Sequence, residues 1–174
     1  MIKVLIYTSL LFVIIIAILL NYNKLPAVFE ISSFKNISKR EQQIQIGDTI
    51  NPFHDFDFDK GSWEAIVFFS SSDIESLPSD IPKYSCLYTT KKALLKEIQK
   101  NWKFIYSGGD LATVTSSFYI LQNGKIVFES GLVFENQLQG FQNSNYGWSG
   151  IANKHDMSIE LKDFEKELLL LRFL

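Results

Sequence analysis

The 174-residue chain has a single cysteine, Cys86. A lone cysteine forms no internal disulfide, so no cross-link supports the fold and its stability must come from the core. There are only two histidines, His54 and His155, and they lie far apart in sequence. No Gly-x-Ser-x-Gly, Walker loop or His-Glu-x-x-His occurs, and no local pattern builds a Ser–His–carboxylate triad. Charge of either sign is scarce in excess: 17 basic residues face 19 acidic ones, for a net charge of −2. A nucleic-acid partner would require clustered basic residues, and none is expected. No residue pattern calls for a metal or a cofactor. Asp55, Asp57, Asp59 and Gly61 have a faint likeness to a calcium loop, but Lys60 and Ile66 stand where that loop requires Gly and Glu.

What is abundant is apolar and aromatic material. Hydrophobic residues make up 47% of the chain and aromatic ones 14%, with fifteen phenylalanines, which predicts a packed globule rather than disorder. Val4–Leu20 carries no charge, and its polar members are Tyr7, Thr8 and Ser9. A run of this length predicts a membrane-spanning helix, and no small-x-small cleavage site follows it. The expected organisation is a membrane anchor over 1–24, a linker over 25–43 and a domain over 44–174. The chain is thus expected in the inner (cytoplasmic) membrane, single-pass, with its domain facing the periplasm or cell exterior.

The domain reads as alternating strands and helices. Ile44–Gly61 alternates near its end, with His54, Phe56 and Phe58 on one face and Asp55, Asp57 and Asp59 on the other, which predicts a half-buried strand. Trp63–Phe69 is a continuous apolar run suited to a sheet centre. Asp73–Asp80 can start a helix that Pro78 and Pro82 keep short. Tyr84–Tyr88 predicts a strand, Lys91–Trp102 a helix with Leu94, Ile98 and Trp102 on one face and Leu95 beside them, and Lys103–Tyr106 a strand. Ser117–Leu121 and Lys125–Glu129 flank Asn123-Gly124, a strong hairpin signal. Leu132–Lys154 is rich in Asn, Gln, Gly and Ser and predicts a long loop with a helical turn at Glu135–Phe141. Ser158–Arg172 predicts a final helix with Ile159, Leu161, Phe164, Leu168 and Leu171 as its apolar stripe. The alternation implies a parallel strand pair, and the hairpin an antiparallel edge. The expected fold class is α/β: a mixed sheet flanked by helices.

Three segments resemble the membrane-anchored thioredoxin-like proteins of the bacterial envelope, of the TlpA, ResA and MauD type. Ile46–Phe53 followed by Asp57–Gly61 is similar to their opening hairpin. Trp63–Ser76 is similar to the strand and active-site helix, and Phe118–Gly131 to the closing hairpin. The resemblance implies a thioredoxin-like fold. Asp73 and Ser76 stand where that family has the two cysteines, so its disulfide chemistry does not carry over.

The function expected on these grounds is a redox-inactive binding or accessory protein for maturation or assembly of an envelope protein. Its expected surface is the vestigial corner: Ser71, Ser72, Asp73, Glu75 and Ser76, together with Thr115, Ser116 and Ser117. Asp73 and Glu75 also suit capping of the helix. A partner loop is expected around Phe141, Tyr146 and Trp148, whose rings stand among small polar residues; equally, those rings can pin a long loop onto the domain. One alternative is a divergent thiol oxidoreductase using Cys86, although the residue also fits a buried strand position. Another is a structural or immunity-type subunit of an envelope complex, with an apolar tip at Leu168–Leu171 and Phe173-Leu174.

Overall fold

Period-two burial decides which side chains enter the core of this protein. The computed structural model describes residues 2–22, 27–29, 44–109, 114–135, 138–143, 147–167 and 171–173. The elements run α1 (Ile2–Tyr22), β1 (Ala27–Phe29), β2 (Thr49–Ile50), β3 (Trp63–Phe68), α2 (Ser71–Ser76), β4 (Cys86–Thr89), α3 (Lys92–Asn101), β5 (Phe104–Tyr106), β6 (Ser116–Gln122), β7 (Lys125–Glu135), β8 (Leu138–Asn143), β9 (Gly147–Ile151), α4 (Ser158–Leu161), β10 (Glu165–Lys166) and β11 (Leu171–Phe173). Nine strands form one sheet in the order β10-β4-β3-β6-β7-β8-β9-β5-β2, and β1 pairs with β11 in a separate two-stranded ribbon.

Every pairing in the nine-stranded sheet is antiparallel. This corrects the expected thioredoxin-like mixed sheet. The connection Phe69–Ser85, which contains α2, returns to the end of the sheet where it left. The Phe69 N–H bonds the Ser85 carbonyl at 2.8 Å, and Phe68 then pairs with Cys86, so β4 runs back antiparallel beside β3.

The expected anchor is corrected as well. Among the described residues, no helix is long and apolar enough to cross a membrane. The single-pass segment at Val4–Leu20 and the membrane location that rested on it fall with that expectation.

Three further boundaries differ from the sequence reading. Between Asn51 and Lys60 the chain forms turns rather than a strand, closed by His54 N–H to Asn51 O, Phe56 N–H to Phe53 O and Lys60 N–H to Asp57 O. The side-chain amide of Gln99 on α3 donates to the Phe53 and Phe56 carbonyls at 2.7 and 2.9 Å and pins the segment down. Phe58 is buried as expected, while His54 stays exposed with the aspartates. The expected long loop over Leu132–Lys154 contains the end of β7, all of β8 and all of β9. The expected helix Ser158–Arg172 stops at Leu161. Glu165–Lys166 instead covers the edge of β4, pairing with Tyr88 and Leu87.

The main core lies on one face of the sheet. Ala65 and Val67 of β3 and Phe118 and Ile120 of β6 meet Leu94, Leu95 and Ile98 of α3 there, together with Phe53, Phe58 and Trp102. The alternate residues, Ile66, Cys86, Tyr119, Leu121 and Ile126, form a smaller cluster on the opposite face. A network of aromatic edges locks the main core. Phe53 packs on Phe128 at 5.1 Å and on Phe118 at 6.0 Å, and Trp102 packs on Phe118 at 5.2 Å. Each such pair contributes about 0.5–1.5 kcal/mol beyond burial. The same contacts fix the plane of the Trp102 ring, which matters for the site below.

Candidate functional site

The end of α3 and the turn after β9 meet around one buried carboxylate. Glu160, on the one-turn helix α4, is fully buried. Trp102, the residue closing α3, donates its Nε1–H to Glu160 Oε2 at 2.9 Å. Asn101 donates Nδ2–H to Oε1, also at 2.9 Å. His155 Nε2 sits 2.9 Å from Oε2 and 3.1 Å from Oε1. An indole N–H and an amide NH2 can only donate, so Glu160 accepts at both oxygens, and as a carboxylate it accepts from the Nε2–H of His155 as well. A buried carboxylate needs such partners, since an isolated one carries a large desolvation penalty.

His155 is held by Glu160 and is also open to solvent, its side chain 19% accessible. It lines a cleft of about 520 Å³ together with Lys100, Asn101, Lys103, Asn153, Lys154, Asp156 and Ile159. Ligand sites commonly enclose about 300–1,000 Å³. Three lysines line the cleft against one carboxylate, on a chain whose net charge is −2. That carboxylate is already engaged: Asp156 Oδ1 accepts from Gln139 Nε2 at 3.0 Å and from the Ser158 N–H at 2.9 Å. Burial pushes the Asp156 carboxyl up, but those hydrogen bonds and the nearby His155 outweigh it and hold it below the usual carboxylate range.

The chain reaches the cleft through a strained turn. Asn153 and Lys154 both have positive φ, 58° and 54°, and the His155 N–H bonds the Ala152 carbonyl at 3.2 Å. That is the signature of a type I′ turn. The β6–β7 hairpin has its own such pair, Asn123 and Gly124, with φ of 52° and 74°. There the second position is glycine, as left-handed backbone favours. In the Asn153-Lys154 turn the second position is a lysine, which costs about 1 kcal/mol relative to glycine. Strain of this kind, at a residue lining a cleft, points to a use for its side chain.

The sequence-predicted corner is also assembled. The Ser116 hydroxyl donates to Asp73 Oδ2 and accepts from the Ser70 N–H at 2.9 Å. Ser70 Oγ caps α2 by accepting from the Asp73 N–H, and it lies 2.9 Å from the Ser72 hydroxyl. The Ser76 hydroxyl donates to the Asp73 carbonyl. Asp73 and Ser116 thus meet, and their bonds fasten α2 to β6. Ser71, Ser72, Glu75, Ser76 and Thr115 are exposed around them, and Ser117 is half-buried on the opposite face of β6.

Phe141 and Trp148 of the expected partner loop lie in strands. Phe141 of β8 is 3% exposed and packs on Phe104 at 4.4 Å, and Trp148 of β9 is 8% exposed. Tyr146 lies outside the described residues, as do Leu168 and Leu174 of the expected apolar tip. Cys86 is fully buried between Ile66 and Tyr119. Among the described residues, no three His, Cys, Asp or Glu side chains gather as a metal ion would require.

Sequence reasoning missed the His155 cluster. Its signal was an Asn-Lys pair between a β-rich stretch and a short helix, the position where a hairpin-type turn prefers Asn-Gly. No protein-family model, curated protein or solved structure matches this chain.

Proposed function

We propose that this chain is a binding domain whose recognition site is the basic cleft beside His155, taking the anionic group of a ligand, a phosphate or a carboxylate. The observation that carries this reading is Lys154. It holds a left-handed backbone position that glycine would fill at lower cost, and it adds a third ammonium to a cleft already lined by Lys100 and Lys103. His155 is presented on a carboxylate fixed by Trp102 and Asn101, so the polar wall needs little reorganisation when a ligand arrives. Asn101 and Asn153 supply neutral donors that an oxyanion also requires. The burial of Cys86 is in keeping with a role in binding rather than thiol exchange.

Calorimetric titration of the full chain with inorganic phosphate and with acetate tests the reading, alongside the variant Lys154→Gly. The expected result is saturable binding of at least one of the two anions, weakened several-fold in the variant. The variant should at the same time be more stable by about 1 kcal/mol, because its backbone strain is relieved. Equal anion affinity in wild type and variant, or no binding of either anion, overturns the proposal.

A further inference from the structure

Resting on that binding reading, we infer that oxyanion binding in the cleft is coupled to uptake of one proton by His155 at Nδ1. Nε2 is already committed to Glu160: an ionised carboxylate only accepts, so Nε2 carries the hydrogen between them. Nδ1 is then the position at which the ring can change its proton count. With Nδ1 bare, the ring brings no positive charge to an oxyanion in the cleft that His155 lines. With Nδ1 protonated, the ring is an imidazolium that the Glu160 carboxylate and a bound anion both attract.

The other charged groups around the ring make the coupling stronger. Lys154 and Asp156 are its neighbours in the turn, Glu160 reaches it from α4, and Lys100 and Lys103 stand across the cleft at the end of α3 and the start of β5. Three ammonium groups oppose a fourth positive charge while the cleft is empty. A bound oxyanion offsets them, so the proton and the anion each favour the other, as linkage requires.

Sulfate is the probe for the test, because it carries no proton near neutral pH and any uptake belongs to the protein. Titrating the full chain with sodium sulfate at pH 7.5, in three buffers of different ionisation enthalpy, gives the number of protons taken up per sulfate as the slope of observed heat against buffer heat. The expected slope corresponds to uptake of up to one proton per sulfate, falling to zero in His155→Gln. As a measurement that needs no variant, the wild-type sulfate affinity should fall with rising pH, by up to tenfold per unit. Sulfate binding whose heat does not depend on buffer, or uptake that survives in His155→Gln, overturns the proton coupling and leaves the binding site standing. If no sulfate binds at any pH, the coupling falls, while the phosphate and acetate titrations decide the binding reading separately.

Discussion

Replacing Glu160 by alanine removes the acceptor on which three side chains converge, and its cost can be worked from their burial. Trp102 is 1% exposed and its indole N–H has Glu160 Oε2 as its partner. A stranded buried donor costs about 1–3 kcal/mol. Asn101 and His155 line the open cleft, where water can replace the carboxylate, so each adds at most about 1 kcal/mol. The expected total is about 1–5 kcal/mol, a large share of the roughly 5–15 kcal/mol that holds a domain together. Glu160→Gln keeps one oxygen for Trp102 and sets an amide NH2 against Asn101. An amide flip of Asn101 resolves that clash, so a loss of about 1 kcal/mol is expected. Urea unfolding followed by far-ultraviolet circular dichroism measures both variants. Trp102→Phe alone and combined with Glu160→Ala closes a double-mutant cycle, whose expected coupling is about 1 kcal/mol or more. A Glu160→Ala loss below about 0.5 kcal/mol, or a coupling of zero, would refute the idea that this carboxylate organises the cleft.

Two glycine substitutions separate lack of space from backbone conformation. In Gly140→Ala the new methyl meets the Ser149 carbonyl and lies 2.7 Å from the Trp148 ring, so β8 and β9 must part and thermal melting should show a loss of about 2–3 kcal/mol. In Gly124→Ala nothing lies within 4 Å and only the φ of 74° is at stake, so a loss of about 1 kcal/mol is expected. Maleimide labelling of Cys86 should be negligible in the native chain and appear only as urea unfolds it; rapid native labelling would contradict the burial argument. Because the folded Asp156 carboxyl is held below its ordinary range, its stabilisation is present above the unfolded carboxylate pKa and is lost as pH falls through the lower folded value. Asp156→Asn should therefore flatten the acid limb of a stability–pH curve below about pH 4, and an unchanged limb would count against it. At the alkaline end, burial first and then Glu165, Glu167 and Glu64 push the Tyr88 phenol up, so its contribution is lost as pH rises above about 10 and should vanish in Tyr88→Phe.

Much of the local structure was legible because it rests on local chemistry. Asn123-Gly124 between two apolar runs specified its hairpin, and the turn φ values are what that dipeptide favours. Leu94, Leu95 and Ile98 marked the buried face of α3. Strand direction was not legible, because the connection Phe69–Ser85 is long enough for a parallel crossover as well as for a return. The bond from the Phe69 N–H to the Ser85 carbonyl that closes the return is a contact the alternation of elements does not record. The strands β8 and β9 were hidden by their composition. Gln139, Gly140, Gln142, Ser149 and Gly150 are poor strand formers by propensity, and the pairing of Phe141 with Ser149 and of Gln142 with Trp148 is what makes them strands. Glycine at 140 is needed there, since the Trp148 ring and the Ser149 carbonyl occupy the space a side chain would take.

The cleft was illegible for a different reason: its parts come from segments separated by about fifty residues, and each has an ordinary reading alone. Trp102 reads as the last apolar residue of a helix stripe, Glu160 as an acidic residue near a helix start, and His155 as an isolated histidine. Only the antiparallel pairing of Phe104 with Ile151 places the end of α3 beside the turn after β9. The backbone bond from the Ala152 N–H to the Lys103 carbonyl, at 2.7 Å, then sets the distance between the two walls. The pairing of β5 with β9 thus does two jobs: it extends the sheet, and it brings an indole and an amide to the carboxylate that orients His155. Anything that shifts that register by one residue would turn Phe104 out of the core and take Trp102 away from Glu160 together. Variants that weaken the β5–β9 pair are therefore expected to lose anion binding before they lose the hairpin at Asn123-Gly124, whose bonds are local.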